Sequence, residues 1–131
     1  MEPPRLENRA MPKKTLLIAD DDQTMHDLYP QYLGDRYEYL HAYNGVDALI
    51  MAVDLLPDLV ILDVLMPGLD GREVCKKIKS YPKTKGIRVV MVTGKSEQSD
   101  RLVGFEVGAD DYLEKPYSLE ILAHTIEKQL R

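Results

Sequence analysis

Cysteine is almost missing from this chain. Cys75 is the only one, which excludes a disulfide framework and a thiolate metal site. Positive charge is outweighed as well, with 17 lysines and arginines against 22 acids and a net charge of −5. That balance leaves no electrostatic footprint for nucleic acid or an anionic membrane. No apolar run approaches the roughly 18 residues that span a bilayer, and the N-terminus has no apolar signal region. Internal repeats and low-complexity segments are lacking too. What is there, 131 residues of which 44% are hydrophobic and 30% charged, suffices for one globular domain with its own core. The expected location is the cytoplasm, with no direct nucleic-acid or membrane partner.

The first dozen residues, MEPPRLENRAMP, hold three prolines and little apolar content, so residues 1–13 are expected to form a flexible leader. From residue 14 the pattern alternates. TLLIAD is a short apolar run of strand type. QTMHDLYPQYLGD follows with Met25, Leu28, Tyr29, Tyr32 and Leu33 at helical spacing and Gly34 as a stop. Pro30 falls inside this helix, off the apolar stripe, and predicts a bend that faces solvent. YEYLHA reads as a half-polar edge strand. VDALIMAVDLL is a second helix, opened by Asn44 and Gly45 and stopped by Pro57. DLVILD is a third strand whose composition predicts burial on both faces. GREVCKKIKS, SEQSDRLVGFEVG and SLEILAHTIEKQL predict the third, fourth and fifth helices. IRVVMVT and DDYLEK predict the fourth and fifth strands. Ser118 caps the fifth helix and Asp22 is placed to cap the first.

Five strands alternating with five helices predict an α/β fold, a doubly wound parallel sheet over residues 14–131. In such sheets ligands bind beyond the carboxyl ends of the strands, where strand order reverses. The strand ends carry Asp20 and Asp21, Asp63, Thr93 and Lys115. In the flavodoxin-like order 2-1-3-4-5 these ends open onto one pocket. Adjacent strands lie about 4.8 Å apart, which sets Asp63 beside Asp20 and Asp21. Two like charges about 4 Å apart repel by roughly 4 kcal/mol at an effective dielectric near 20. A divalent cation relieves that repulsion, and an all-oxygen donor set suits Mg²⁺. Lys115, about 10 Å away by the same strand spacing, has the reach to close on Asp63, and Thr93 offers a hydroxyl between them. Cation, ammonium and hydroxyl together form a cradle for a phosphoryl group, whose transfer needs positioning and charge neutralisation above all. A carboxylate can act as the nucleophile and form an acyl phosphate, which makes Asp63 the acceptor.

LLIADDD, LVILDVLMPGLDG, VVMVTG and GADDYLEKPY resemble, in order and spacing, the motifs of response-regulator receiver domains, the phosphoacceptor half of two-component signalling. The likeness covers residues 14–131. It implies that Asp63 is phosphorylated by a sensor histidine kinase or a histidine phosphotransfer protein. It also implies that Asp21 and Asp63 bind Mg²⁺ directly, Asp20 through water, and Leu65 through its backbone carbonyl. Thr93 and Lys115 would contact the phosphoryl group, and a cis Lys115–Pro116 bond is implied. On phosphorylation Thr93 would move inward and Tyr112 rotate behind it. The face of the fourth helix, fifth strand and fifth helix would then change for a downstream protein or a fused output domain.

Some positions depart from the family pattern. Leu65 and Lys95 stand where side chains influence hydrolysis of the acyl phosphate, and neither supplies an acid or amide, so slow self-dephosphorylation is expected. Thr125 stands where the winged-helix subfamily commonly has an arginine used in dimerisation, which leaves a monomer or a weak phosphorylation-dependent dimer. The chain ends at Arg131, where the fifth helix should end, as a stand-alone regulator or part of a longer protein would. Two other readings compete. A haloacid-dehalogenase-like phosphatase would want an aspartate where Leu65 stands. A pseudo-receiver that only binds proteins would not need Asp20, Asp21, Asp63, Thr93 and Lys115 together. Cys75 is expected in the core. His26, His41 and His124 share no ligand spacing, and Tyr117 is expected to pack at the mouth of the fifth helix.

Overall fold

The apolar runs of the sequence become the strands of one parallel sheet in the structure, a computed structural model that describes residues 12–94 and 108–131. The strands are β1 (Lys14–Ala19), β2 (Tyr37–Ala42), β3 (Leu59–Asp63), β4 (Arg88–Thr93) and β5 (Asp111–Glu114). They lie in the order β2-β1-β3-β4-β5, as expected. The described α-helices are α1 (Gln23–Leu33), α2 (Gly45–Leu55), α3 (Gly71–Ser80) and α4 (Leu119–Gln129), with a 3₁₀ turn at Gly34–Arg36 after α1. Here α4 is the fifth helix of the sequence. The helix predicted over residues 96–108, and Lys95, lie outside the described residues apart from Gly108, as do residues 1–11 of the leader.

Side chains alternate across a strand, and that period divides the core in two. Leu17 and Ala19 of β1, Val60 and Leu62 of β3, and Val89 and Met91 of β4 pack against Ala48 and Ala52 of α2 and Val74, Cys75 and Ile78 of α3. Their neighbours Leu16, Ile18, Leu59, Ile61, Val90 and Val92 face the other way, onto Tyr29 and Leu33 of α1 and Leu122 and Ile126 of α4. All five residues of β3 are buried, the double burial predicted from its composition. Each buried Leu, Ile or Val is worth about 1.5–3 kcal/mol. The four that precede Asp63 therefore supply enough to hold a carboxylate at the strand's end against its desolvation.

Every described α-helix starts on a side chain that accepts from the first turn. Asp22 accepts from Thr24, Asn44 from Asp47, Asp70 from Arg72 and Ser118 from Ile121, which meets otherwise orphaned donors. The α2 helix closes on Leu56 in the left-handed region at φ 48°, with Pro57 next to block continuation.

The face of α1 is a correction to the sequence reading. The buried positions are His26, Tyr29 and Leu33. Tyr32 is 48% exposed, Met25 and Leu28 are half-buried, and so is Pro30, which was expected to face solvent. The physical reason is that His26 has partners for both ring nitrogens, so a polar side chain can take an inward position. Among the described residues no helix is long and apolar enough to cross a membrane.

Candidate functional site

The rim at the carboxyl ends of β1, β3, β4 and β5 gathers the predicted side chains. The sheet register sets Asp63 opposite Val92, so Thr93 comes one position further along the neighbouring strand. Thr93 pairs with Glu114 on β5, and the Lys115 backbone N–H donates to the Thr93 carbonyl at 2.6 Å. The Lys115–Pro116 bond is cis, as the sequence resemblance implied. The Lys115 ammonium reaches back over β4 to 3.6 Å from an Asp63 carboxylate oxygen, so it closes the gap foreseen from strand spacing.

Asp20, Asp21 and Asp63 each offer an oxygen within 4.8 Å of the others. Asp20 and Asp63 are buried, Asp21 is exposed, and Thr93 is buried beside them. Burial pushes the Asp63 carboxyl up to about 6, with the Asp20 charge adding to the rise and Lys115 opposing it. Burial also raises Asp20, against the Asp22 backbone N–H that donates to its carboxylate at 2.9 Å. Both shifts express the same fact, that crowded, desolvated carboxylates resist ionising together. Three hard oxygen donors held this close, with their charges unfavourable to one another, fit Mg²⁺ in chemical type. They do not fit a soft metal, because Cys75 is fully buried elsewhere in the core and burial pushes its thiol up to about 12.

The acceptor strand is anchored by a glycine. Gly71, the first residue of α3, donates its N–H to the Val64 carbonyl at 2.9 Å. A side chain there would place its Cβ 2.3 Å from the Asp63 carbonyl oxygen and 2.8 Å from the Val64 Cα, so no other residue fits without moving the acceptor. Leu65 lies just beyond, its N–H 3.4 Å from an Asp63 carboxylate oxygen and its side chain exposed at 55%. Tyr112 sits on β5 opposite Met91, half-buried against the core on the α2–α3 side of the sheet.

Two supports of the site were not apparent from motif spacing. His26 contacts the Asp20 backbone carbonyl through Nε2 at 2.7 Å. A carbonyl only accepts, so Nε2 carries the proton and neutral Nδ1 accepts from His41 Nδ1, 2.8 Å away. The Tyr43 ring covers His26 with centroids 4.0 Å apart. The turn that presents Asp20 and Asp21 is thereby tied to α1 and β2. The only sequence signal was the position of His26 three and seven residues before Tyr29 and Leu33. The second support is a hydroxyl–hydroxyl hydrogen bond between Tyr29 of α1 and Tyr117, just after the cis bond. Tyr117 does pack at the mouth of the last helix, and this bond joins that mouth to α1. His124 and Thr125 lie on α4, and Thr125 is buried.

Comparison with known proteins agrees with this geometry. The response regulator receiver domain family matches residues 16–127. The chain is 41% identical over 106 residues to the response regulator PleD of Caulobacter vibrioides, covering 81% of this chain and 23% of that protein. It is 38% identical over 119 residues to the phosphate regulon transcriptional regulatory protein PhoB of Pseudomonas aeruginosa, covering 90% of this chain and 52% of that one. The chain thus spans about a quarter to a half of the length of these relatives. Among solved structures it superposes on the chemotaxis response regulator CheY4 of Vibrio cholerae with a TM-score of 0.82, at 29% identity, over 90% of this chain and 99% of that one. The receiver domain of NtrX from Brucella abortus gives 0.79, at 30% identity, over 88% and 97%. Members of this family bind Mg²⁺ at an acidic pocket, interact with histidine kinases and output domains, and are not conventional enzymes. Neither the dehalogenase-like nor the pseudo-receiver reading is favoured by these matches. With its 2-1-3-4-5 sheet and acidic rim, the chain belongs to the response regulator receiver domains of two-component signal transduction.

Proposed function

We propose that Asp63 is the phosphoacceptor of this receiver, served by Thr93 and Lys115, with Asp20, Asp21, Asp63 and the Leu65 carbonyl holding Mg²⁺ and residues 14–131 making up the domain. The carrying observation is the meeting of three carboxylates within 4.8 Å and the Lys115 ammonium 3.6 Å from Asp63 at the end of a fully buried strand. An Asp63 oxygen attacks the phosphorus of a phosphohistidine on a sensor histidine kinase or a histidine phosphotransfer protein. The P–O bond forms as the P–N bond breaks, and the electron pair stays on the imidazole nitrogen, which takes up a proton. Lys115 balances charge on the transferred oxygens, the Thr93 hydroxyl donates to one of them, and the buried strand excludes competing water. Mg²⁺ held by Asp20, Asp21, Asp63 and the Leu65 carbonyl would supply further charge neutralisation.

Once phosphorylated, the domain would shift toward a second conformation by moving Thr93 and turning Tyr112, and so re-form the face that includes β5 and α4. A downstream protein or a fused output domain would read that face in the cytoplasm, with the receiver as a monomer or a weak phosphorylation-dependent dimer. Self-dephosphorylation would be slow, because the Leu65 side chain cannot orient water. Incubation with acetyl phosphate and Mg²⁺ tests the assignment by mass spectrometry. The expected result is a gain of about 80 Da that maps to Asp63 and is lost in Asp63→Asn. An unmodified Asp63, or a phosphoester turned over with no phosphoprotein formed, overturns it.

A further inference from the structure

The α2 helix is more apolar than its buried side requires. Its fully buried positions are Gly45, Ala48 and Ala52, all small, with Leu49 and Met51 partly buried against the core. Leu49, Val53, Val46 and Ile50 then continue the apolar surface round the helix over an arc of about 100°, reckoned from 3.6 residues per turn. Val46 is 50% exposed and Ile50 51%. A helix apolar over so much of its circumference is normally covered on that side too. Between α2 and α3 lies an open cavity of about 380 Å³, lined by Leu49, Val53, Lys77, Ser80 and Tyr81. Tyr81 is 51% exposed at its mouth, the amphipathic aromatic type that anchors protein contacts.

The charge beside this groove is opposite to that of the molecule. Residues 76–85, KKIKSYPKTK, carry five lysines and no acid in a chain of net charge −5. Lys79 is taken up by Asp110 at 2.9 Å. Lys76, Lys77, Lys83 and Lys85 are exposed and none forms an ion pair among the described residues. The acids on the two helices, Asp47, Asp54 and Glu73, are fewer than these cations. The groove lies toward the C-terminal ends of α2 and α3, whereas Gly71 at the opposite end of α3 touches Asp63. An occupant would therefore leave the acidic rim open.

We propose that the α2–α3 groove docks an amphipathic helix of a partner protein, its apolar stripe seated on Leu49, Val53 and Tyr81 and its acidic flank paired with Lys77 and the lysines of the following loop. An apolar floor with a cationic border fits such a helix by the usual helix-in-groove mode. It suits nucleic acid poorly, and a second copy meeting it groove to groove would set lysine against lysine.

Two synthetic helical peptides with one apolar stripe, flanked by glutamates in one and lysines in the other, test this against the isotope-labelled chain by amide chemical-shift mapping. The acidic peptide should shift the signals of Leu49, Val53, Ser80 and Tyr81 saturably and bind at least tenfold more tightly than the basic one. Val53→Glu should weaken it at least tenfold. Should that variant unfold, the surface pair Lys77→Glu and Lys83→Glu should produce the same loss while Asp63 still accepts phosphate. Equal binding of the two peptides, shifts centred elsewhere, displacement by single-stranded DNA, or self-association of the chain that Ile50→Glu abolishes would each overturn the proposal.

Discussion

Replacing Asp63 by Asn should stabilise the metal-free protein. The folded chain raises the Asp63 carboxyl from 3.8 to about 6, chiefly by burial and then by the Asp20 charge. A group whose folded value is raised contributes stability only while it is protonated. In EDTA, then, the wild type loses stability as pH climbs from about 4 through about 6. One unit corresponds to about 1.4 kcal/mol, so the ionised carboxylate costs at most about 3 kcal/mol at neutral pH. Asn keeps the shape and stays neutral, and the attraction of Lys115, whose side chain is 42% exposed, is already contained in the value of about 6. A gain of about 1–3 kcal/mol corresponds to a rise in Tm of roughly 3–15 °C for a chain of this size. Thermal unfolding followed by circular dichroism, in EDTA at pH 7.5 and again at pH 4, measures it. The gain should shrink toward zero at the lower pH, where the wild-type carboxyl is protonated already. Millimolar Mg²⁺ should narrow or reverse the difference at pH 7.5, because only the wild type retains all three carboxylates. An unchanged or lower Tm for Asp63→Asn in EDTA, or a gain of equal size at both pH values, would refute the account of crowded carboxylates.

Gly71→Ala should cost about 3 kcal/mol or more, since its Cβ would lie 2.3 Å from the Asp63 carbonyl oxygen, well inside van der Waals contact; denaturant unfolding checks it, and a loss below about 1 kcal/mol would mean the α3 start yields freely. Cys75, fully buried with its thiol pushed up to about 12, should resist a thiol reagent at neutral pH in the native state and react fully in guanidinium. Rapid native labelling would show that α3 opens locally.

The architecture was legible because the sheet is buried on both faces. Each central strand had to be a short apolar run, and three of the helices between them declared their starts with Asp22, Asn44 or Ser118. The acidic rim was legible for a related reason. Charges at the ends of such runs are costly, so Asp20, Asp21, Asp63, Thr93 and Lys115 stood out against hydrophobic neighbours, and parallel topology leaves strand ends nowhere to lie except side by side. The inward turn of His26 was not legible, nor was the bond between Tyr29 and Tyr117, eighty-eight residues apart in sequence. A histidine among apolar residues reads as polar until its two partners, a carbonyl at Asp20 and a ring nitrogen of His41, are known.

By itself the sequence determined the order of elements, the parallel sheet and the identity of the rim residues, all of which follow from local periodicity and from strand ends that share one edge. Tertiary structure alone decided how close the carboxylates come, which glycine must stay a glycine, and which side of α2 is left uncovered. Those outcomes depend on distances between segments far apart in the chain, and no local pattern encodes a distance.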